Sequence, residues 1–139
     1  MNPNNISDLR ISYTKATLNI EVTDPCPFNQ FEQWLNEAIE AKTTEATAMS
    51  LATVNEKGHP SVRTVLLKGF SRKGFVFYTN YESRKATEIE CNPNVGICFL
   101  WKELERQVTI KGSAKRLSKD KSEKYFKSRP TGHQISAWA

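Results

Sequence analysis

The hydrophobic period of the chain changes near Thr47, and that change decides most of what it can fold into. Ahead of it, apolar residues recur as Phe28, Phe31, Trp34, Leu35, Ala38 and Ile39. Three-to-four spacing predicts an amphipathic helix over 28–42, packed on the domain through that stripe. Asp24-Pro25-Cys26-Pro27 is a stop and a turn before it. Beyond Thr47 the period is two. Met49, Leu51 and either Thr53 or Val54 open a strand, and Glu56-Lys57-Gly58-His59-Pro60 is a turn. Val62 to Lys68 reads as a second strand, Gly69 to Gly74 as another turn, and Phe75 to Thr79 as a third strand. A short helix over 83–91 stops at Asn92-Pro93. Val95 to Trp101 is a fourth strand. Arg106 to Ala114 is a fifth, with Arg106, Val108 and Ile110 alternating against Gln107, Thr109 and Lys111. A last helix is expected over 118–128, and Pro130 begins a new segment. Five short strands joined by tight turns predict a mainly β fold, a closed antiparallel β-barrel with flanking helices.

Composition narrows the partners. The 139 residues suffice for one domain, and no apolar run approaches the ~20 residues that cross a bilayer. The first residues, MNPNNISDLR, have no apolar core for a signal peptide, so a cytoplasmic location and no membrane partner are expected. Residues 1–25 are polar with little periodicity and are expected to be a flexible N-terminal arm; residues 26–139 are the barrel domain. Cys26, Cys91 and Cys98 are odd in number and lack a C-x-x-C, which argues against a disulfide framework and a zinc knuckle. With only His59 and His133, a histidine-rich metal site is not expected either. The net charge of +5 suits a nucleic acid or a pocket for small phosphorylated ligands, and the placement of the cations must decide.

Three basic clusters bear on that. Arg63-Thr64-Val65-Leu66-Leu67-Lys68 puts two cations into an apolar strand, where they are costly unless paired or liganded, and composition alone favours their snorkelling out at the strand ends. Residues 63 and 68 have opposite parity, so both can meet one ligand only if the strand ends or bulges before Lys68; Gly69 suggests such a point. Tyr78-Thr79-Asn80-Tyr81-Glu82-Ser83-Arg84-Lys85 runs a strand into a helix whose first turn is cationic. Free N–H groups and the dipole make that terminus an anion site, although a capped, solvated helix start is an equal reading. Tyr125 and Arg129 are four apart and share a helix face, where they would grip a phosphate or merely be exposed. No nucleophile–base pair, Walker loop or G-x-G-x-x-G occurs, which favours a borrowed cofactor doing the chemistry.

In this order the segments resemble the pyridoxamine 5′-phosphate oxidase family. Ala48-Met49 through Ala52-Thr53 with Gly58 and Pro60, then Arg63-x-Val65-Leu66-Leu67-Lys68-Gly69, are similar to its early strands. Phe77-Tyr78-Thr79-Asn80-x-x-Ser83-Arg84-Lys85-Ala86 is similar to its flavin-phosphate segment. Asn92-Pro93, Leu104-Glu105-Arg106-Gln107-Val108 and Tyr125-Phe126-x-Ser128-Arg129-Pro130 follow in order, and the likeness extends from Leu9-Arg10 to Trp138.

The resemblance implies an FMN-binding split barrel of antiparallel Greek-key type, working as a homodimer with FMN at the subunit interface. Arg63, Thr64, Val65, Leu66, Leu67, Lys68, Tyr78, Thr79, Arg84, Lys85 and Gln107 would contact FMN, with Arg84 and Lys85 at its phosphate and Gln107 near the ring. Lys68, Tyr125 and Arg129 would hold the substrate phosphate, while Arg10 and Tyr13 match a segment that closes over substrate. The implied reaction oxidises pyridoxamine or pyridoxine 5′-phosphate to pyridoxal 5′-phosphate, with O2 as acceptor. Two positions depart from the family. His133 stands where a serine usually meets the substrate phosphate, and Ser136 replaces a glycine. The family continues past Ala139, where its substrate-orienting Arg and His lie. The chain is therefore expected to be truncated at its C-terminus, with no catalytic residue of its own, weakened flavin binding and an unpaired barrel edge.

Two other readings stand beside this one. A non-catalytic FMN or pyridoxal-phosphate binder would use the same barrel without turnover. A nucleic-acid-binding barrel would stack bases on Phe75, Phe77 and Tyr78 beside Arg72 and Lys73; it ranks low, because the cations fall at the family's phosphate positions, and no nucleic-acid partner is expected.

Overall fold

The computed structural model describes residues 5–14, 17–80 and 82–117. The expected helix over 118–128, and with it Tyr125, Arg129 and His133, lies outside them. The chain divides into two compact units, one of residues 1–46 and 100–107, the other of 47–99 and 108–139.

In the first unit, one 3-10 turn, Ile6–Asp8, interrupts an N-terminal segment whose described residues up to Val22 are all exposed. Helix α1, Pro27–Glu40, follows. Pro27 sits at its first turn, where a missing N–H costs nothing, and Asp24 accepts from the Cys26 N–H at 2.8 Å. Its apolar stripe buries Phe31, Leu35 and Ala38. The helix stops two residues earlier than its spacing predicts. Lys42 turns left-handed (φ 54°), and the Thr43 and Lys42 amides donate back to the Ala38 and Ile39 carbonyls. That is a Schellman ending with lysine where glycine is usual. Trp101 completes this core. It is 1% exposed, its ring centroid lies 6.1 Å from that of Phe31, and its indole N–H donates to the Ala46 carbonyl at 2.8 Å. Arg106 pairs with Glu37 of α1 while lying over the Trp34 ring, 4.8 Å from its centroid.

The strands are β1 (Ala48–Val54), β2 (Pro60–Leu66), β3 (Gly69–Ser71), β4 (Gly74–Val76), β5 (Asn94–Trp101) and β6 (Arg106–Ser113), with helix α2 (Arg84–Cys91) between β4 and β5. Four of them form one sheet in the order β2-β1-β5-β6, and β3 and β4 form a separate two-stranded ribbon. β1 pairs antiparallel with both β2 and β5. The fold is therefore mainly β, as the alternation predicts. The Gly58 turn (φ 82°) joins β1 to β2, with Asn55 Oδ1 accepting from the amides of Lys57 and His59.

Two expectations need correction. The stretch from Gly69 to Gly74 is not a turn but most of a hairpin: Gly69 pairs with Val76 and Ser71 with Gly74, leaving Arg72-Lys73 as a two-residue loop. The third predicted strand, 75–79, shortens to Gly74–Val76, since residues 77–80 hold no regular structure. The described strands thus number six rather than five. Along β1, Met49, Leu51 and Thr53 are the buried set, which settles the choice between Thr53 and Val54 in favour of the polar residue.

Candidate anion site at the start of helix α2

The site lies in the second unit, where α2 rests against β1. In the β1–β2 register Thr53 faces Ser61 and Leu51 faces Arg63. Direct antiparallel partners share a face, so Thr53, Ser61 and Arg63 point the same way. The exposure of β2 agrees: Ser61, Arg63 and Val65 are half-buried, while Val62, Thr64 and Leu66 are exposed.

Into this face α2 inserts Glu88, 5% exposed. One carboxylate oxygen, Oε2, accepts from the fully buried Thr53 hydroxyl and meets Arg63 at 3.4 Å. The other, Oε1, accepts from Arg84 Nε at 3.2 Å and from Ser61 at 3.4 Å. The Thr53 hydrogen bond, followed by Arg84 and Arg63, holds the Glu88 carboxyl below its ordinary value, against the opposing effect of burial. Arg63 also donates to the Leu51 carbonyl at 3.0 Å, so its guanidinium is clamped from both sides. Its side chain is 23% exposed, whereas that of Arg84 is 79% exposed.

The helix start is capped and cationic. Ser83 is the N-cap; its hydroxyl accepts from the Ala86 amide at 3.3 Å and lies 3.3 Å from the Thr79 hydroxyl. The first turn holds Arg84 and Lys85 and no acid, contrary to the helix dipole. Half-buried Lys85 has its ammonium pushed below the ordinary lysine value by burial, and then by the charge of Arg63. Two arginines thus hold one carboxylate, and Lys85 and Arg63 disfavour each other's charge. A phosphate group would relieve that repulsion.

The structure brings together only part of the residue set that the sequence suggests. Arg63 and Arg84 meet at Glu88, Thr79 lies at Ser83, and Lys85 is close enough to Arg63 for the two charges to oppose each other. Thr64 and Leu66 point to the opposite face of β2 from Arg63 and Val65, Leu67 is buried, and Lys68 is exposed beyond the end of the strand. Tyr78 is half-buried in the segment leading to α2. Gln107 is an exposed residue of β6 that falls in the other unit. Arg10 and Tyr13 are exposed in the N-terminal segment, where Arg10 Nε donates to the Ser7 carbonyl at 3.1 Å. Glu88 itself, with Thr53 and Ser61 behind it, escaped the sequence reading. Its one signal there is the four-residue spacing from Arg84. The aromatic set considered for base stacking is partly engaged: Phe75 stacks on Phe70 across the ribbon, with centroids 6.1 Å apart and planes 17° apart.

The chain is thus mainly β, with a cation-rich helix start over one sheet face. Comparison with known proteins makes the class specific. Residues 35–139 match the family model described as pyridoxamine 5′-phosphate oxidase, and the chain belongs to that family. It is 49% identical over 134 residues to a pyridoxine/pyridoxamine 5′-phosphate oxidase of Burkholderia mallei, covering 96% of this chain and 63% of that one. It is 54% identical to the protein of the same name from Crocosphaera subtropica, covering 96% and 62%. The chain therefore spans somewhat less than two thirds of the length of these relatives. Among solved structures, PhzG from Burkholderia lata 383, in complex with tetrahydrophenazine-1-carboxylic acid, superposes with a TM-score of 0.81 at 27% identity, over 87% of this chain and 61% of that one. An FMN-binding, pyridoxamine 5′-phosphate oxidase-related protein of Nostoc punctiforme shares the fold, with a TM-score of 0.65 at 19% identity, over 82% and 63%. Among the described residues no helix is long and apolar enough to cross a membrane.

Proposed function

We propose that this chain carries the flavin-phosphate half of an FMN-dependent oxidase that converts pyridoxamine or pyridoxine 5′-phosphate to pyridoxal 5′-phosphate, within a homodimeric split barrel. The observation that carries the reading is the convergence of Arg63, Arg84 and Lys85 on one helix start, with their charges only partly offset by Glu88. The fit to a phosphate monoester is chemical. A dianion restores the local balance, and Arg63 and Arg84 each offer several donors.

When bound, FMN supplies a hydride acceptor for the substrate's exocyclic carbon, with O2 as the final oxidant. The part of this chain's residues is to bind and orient. Arg63, held by Leu51 and Glu88, presents a fixed guanidinium, and Arg84, mostly exposed, reaches the ligand from the solvent side. The Ser83 hydroxyl caps α2 and leaves the earliest amides of the helix to face an anion. Thr79, Tyr78, Gln107 and the strand segment 64–68 complete the proposed FMN contacts. Lys68, Arg10, Tyr13, Tyr125, Arg129 and His133 are assigned to the substrate.

The test is to load the purified chain with FMN, follow its visible spectrum, and add pyridoxine 5′-phosphate. Flavin bleaching followed by peroxide release on exposure to air supports the oxidase. FMN retained without peroxide supports the non-catalytic binder. Failure to take up FMN refutes both.

A further inference from the structure

We infer that Glu88 is a positioning residue for phosphate recognition: it fixes the separation of the Arg63 and Arg84 guanidinia, so that the two cations from different elements act on one phosphate. The inference rests on the reading of this site as the FMN phosphate site and goes beyond it, since Glu88 touches no ligand in that reading.

The geometry carries the argument. Glu88 uses separate oxygens for the two cations, Oε2 for Arg63 of β2 at 3.4 Å and Oε1 for Arg84 of its own helix at 3.2 Å. Each oxygen is held from the sheet side, Oε2 by Thr53 and Oε1 by Ser61. Thr53 and Ser61 are direct cross-strand partners, so the carboxylate is seated on paired strands, near the hairpin end of β1 and β2, and not on a loop. A charged group 5% exposed is costly to place there unless its hydrogen bonds are satisfied, and here four side chains satisfy it. A carboxylate also repels a phosphate. Its presence behind the cations therefore has to be offset by what it does to them, and holding two long, rotamer-rich side chains in one arrangement is that benefit. While the affinity at stake lies mainly with the less exposed Arg63, Arg84 shows the tether most plainly. With its side chain 79% exposed, it has little packing to hold it, and its Nε contact to Glu88 is what ties it to the sheet.

A purely structural role and a positioning role separate when the ligand is offered with and without its phosphate. Riboflavin presents the same ring as FMN but no phosphate. In the full 139-residue chain, Glu88→Gln is expected to weaken FMN binding at least about tenfold, the equivalent of one charge-assisted hydrogen bond, while riboflavin binding by the same fluorescence titration stays within about twofold. Glu88→Asp keeps the charge but is one methylene too short to reach both guanidinia. It is expected to show the same selective loss to a smaller extent, and it decides the matter if the Gln variant does not fold. Equal weakening of FMN and riboflavin in a folded variant, or FMN affinity unchanged in Glu88→Asp, overturns the positioning role and leaves the FMN reading standing. A wild-type chain that binds riboflavin as tightly as FMN overturns the phosphate-site reading, and this inference with it.

Discussion

The two arginines that meet Glu88 differ in one measurable respect, and the difference predicts a ranking. Arg63 has a side chain 23% exposed and is clamped at 3.0 Å by the Leu51 carbonyl, whereas Arg84 is 79% exposed. At equal distance from a phosphate, a charge pair near the surface is worth about 4 kcal/mol at an effective dielectric constant of ~20 and about 1 kcal/mol in bulk water. Arg63 sits near the first limit and Arg84 near the second. Arg84 must also give up more side-chain freedom when it binds, which costs up to about 2 kcal/mol. Replacing each by methionine keeps the apolar stem and removes the guanidinium. Arg63→Met is expected to cost about 1.5–3 kcal/mol of FMN affinity, roughly 10- to 150-fold. Arg84→Met should cost under about 1 kcal/mol, or less than about fivefold. The assay is quenching of flavin fluorescence at about 0.15 M salt, repeated at about 1 M, where the Debye length falls from about 8 to 3 Å. The Arg84 effect should fade at high salt and the Arg63 effect should persist, with thermal melts confirming that both variants fold. Equal losses, or a larger loss at Arg84, would refute the argument that burial sets the value of each cation.

Four further outcomes follow from the same geometry. Trp101→Phe removes the donor to the Ala46 carbonyl and leaves a void beside Phe31, so it should cost about 2–4 kcal/mol and lower the melting temperature on the order of 10 °C; an unchanged melt would disprove it. Lys85 has its charged form disfavoured by burial and by Arg63, so it should be among the lysines acylated fastest at mildly alkaline pH, and FMN should protect it; acylation at the rate of an exposed lysine such as Lys57, in the absence of ligand, argues against this. Glu88 and Glu37 both have carboxyls held below the ordinary 4.5, Glu37 chiefly by its hydrogen bond from Arg106. Between the folded and ordinary values the unfolded chain binds more protons, so their stabilisation is fully present above about pH 4.5 and is lost as pH falls through the folded values. In acid titrations followed by circular dichroism, Glu88→Gln should therefore show a shallower loss of stability below pH 4.5 than the wild type, and superimposable acid limbs would contradict it. Finally, a Cβ at Gly69 would meet only Val76 Cβ at 3.9 Å, so Gly69→Ala should be neutral or stabilising by up to about 1 kcal/mol; a lower denaturant midpoint would show that the glycine is required.

The elements with clear periodicity were legible in the sequence, and the reasons are local. The stripe from Phe31 to Ala38 can be buried only by a helix, and the alternation through Met49, Leu51 and Thr53 only by a strand. Where sequence and structure part, the local signal is too short or points the wrong way. Gly69-Phe70-Ser71 has three residues and a leading glycine, so it resembled the turn that in fact comprises only Arg72 and Lys73. Lys42 ends α1 in a conformation that the sequence marks with no glycine. The cations of the site were visible as cations, but Glu88 was not visible as their organiser. A glutamate in a short polar helix reads as solvated, and only the pairing of Thr53 with Ser61 across β1 and β2 builds the polar seat that lets it be buried.

The same sheet bears on the two phosphate roles proposed for the segment from Arg63 to Lys68. A regular strand sends residues 63 and 68 to opposite faces. The chain also changes partner between them. The Leu67 amide still donates to the Thr47 carbonyl at 2.9 Å, alongside β1, but the next amide, that of Lys68, donates to the Val76 carbonyl at 2.8 Å, in the ribbon. Between two successive peptide groups the chain leaves the large sheet for the hairpin. The alternation of β2 nonetheless runs on through this change: Leu67 is buried and Lys68 exposed, opposite in sense to Arg63, which stays clamped under α2. This arrangement supports the proposed division of labour, in which Arg63 acts with Arg84 and Lys85 on the coenzyme phosphate and Lys68 remains free to approach the vitamin phosphate from the solvent side. The switch depends on backbone hydrogen bonding and on no special residue. That is why Gly69, which from the sequence looked like the cause of the break, has ordinary strand geometry and room for a larger side chain.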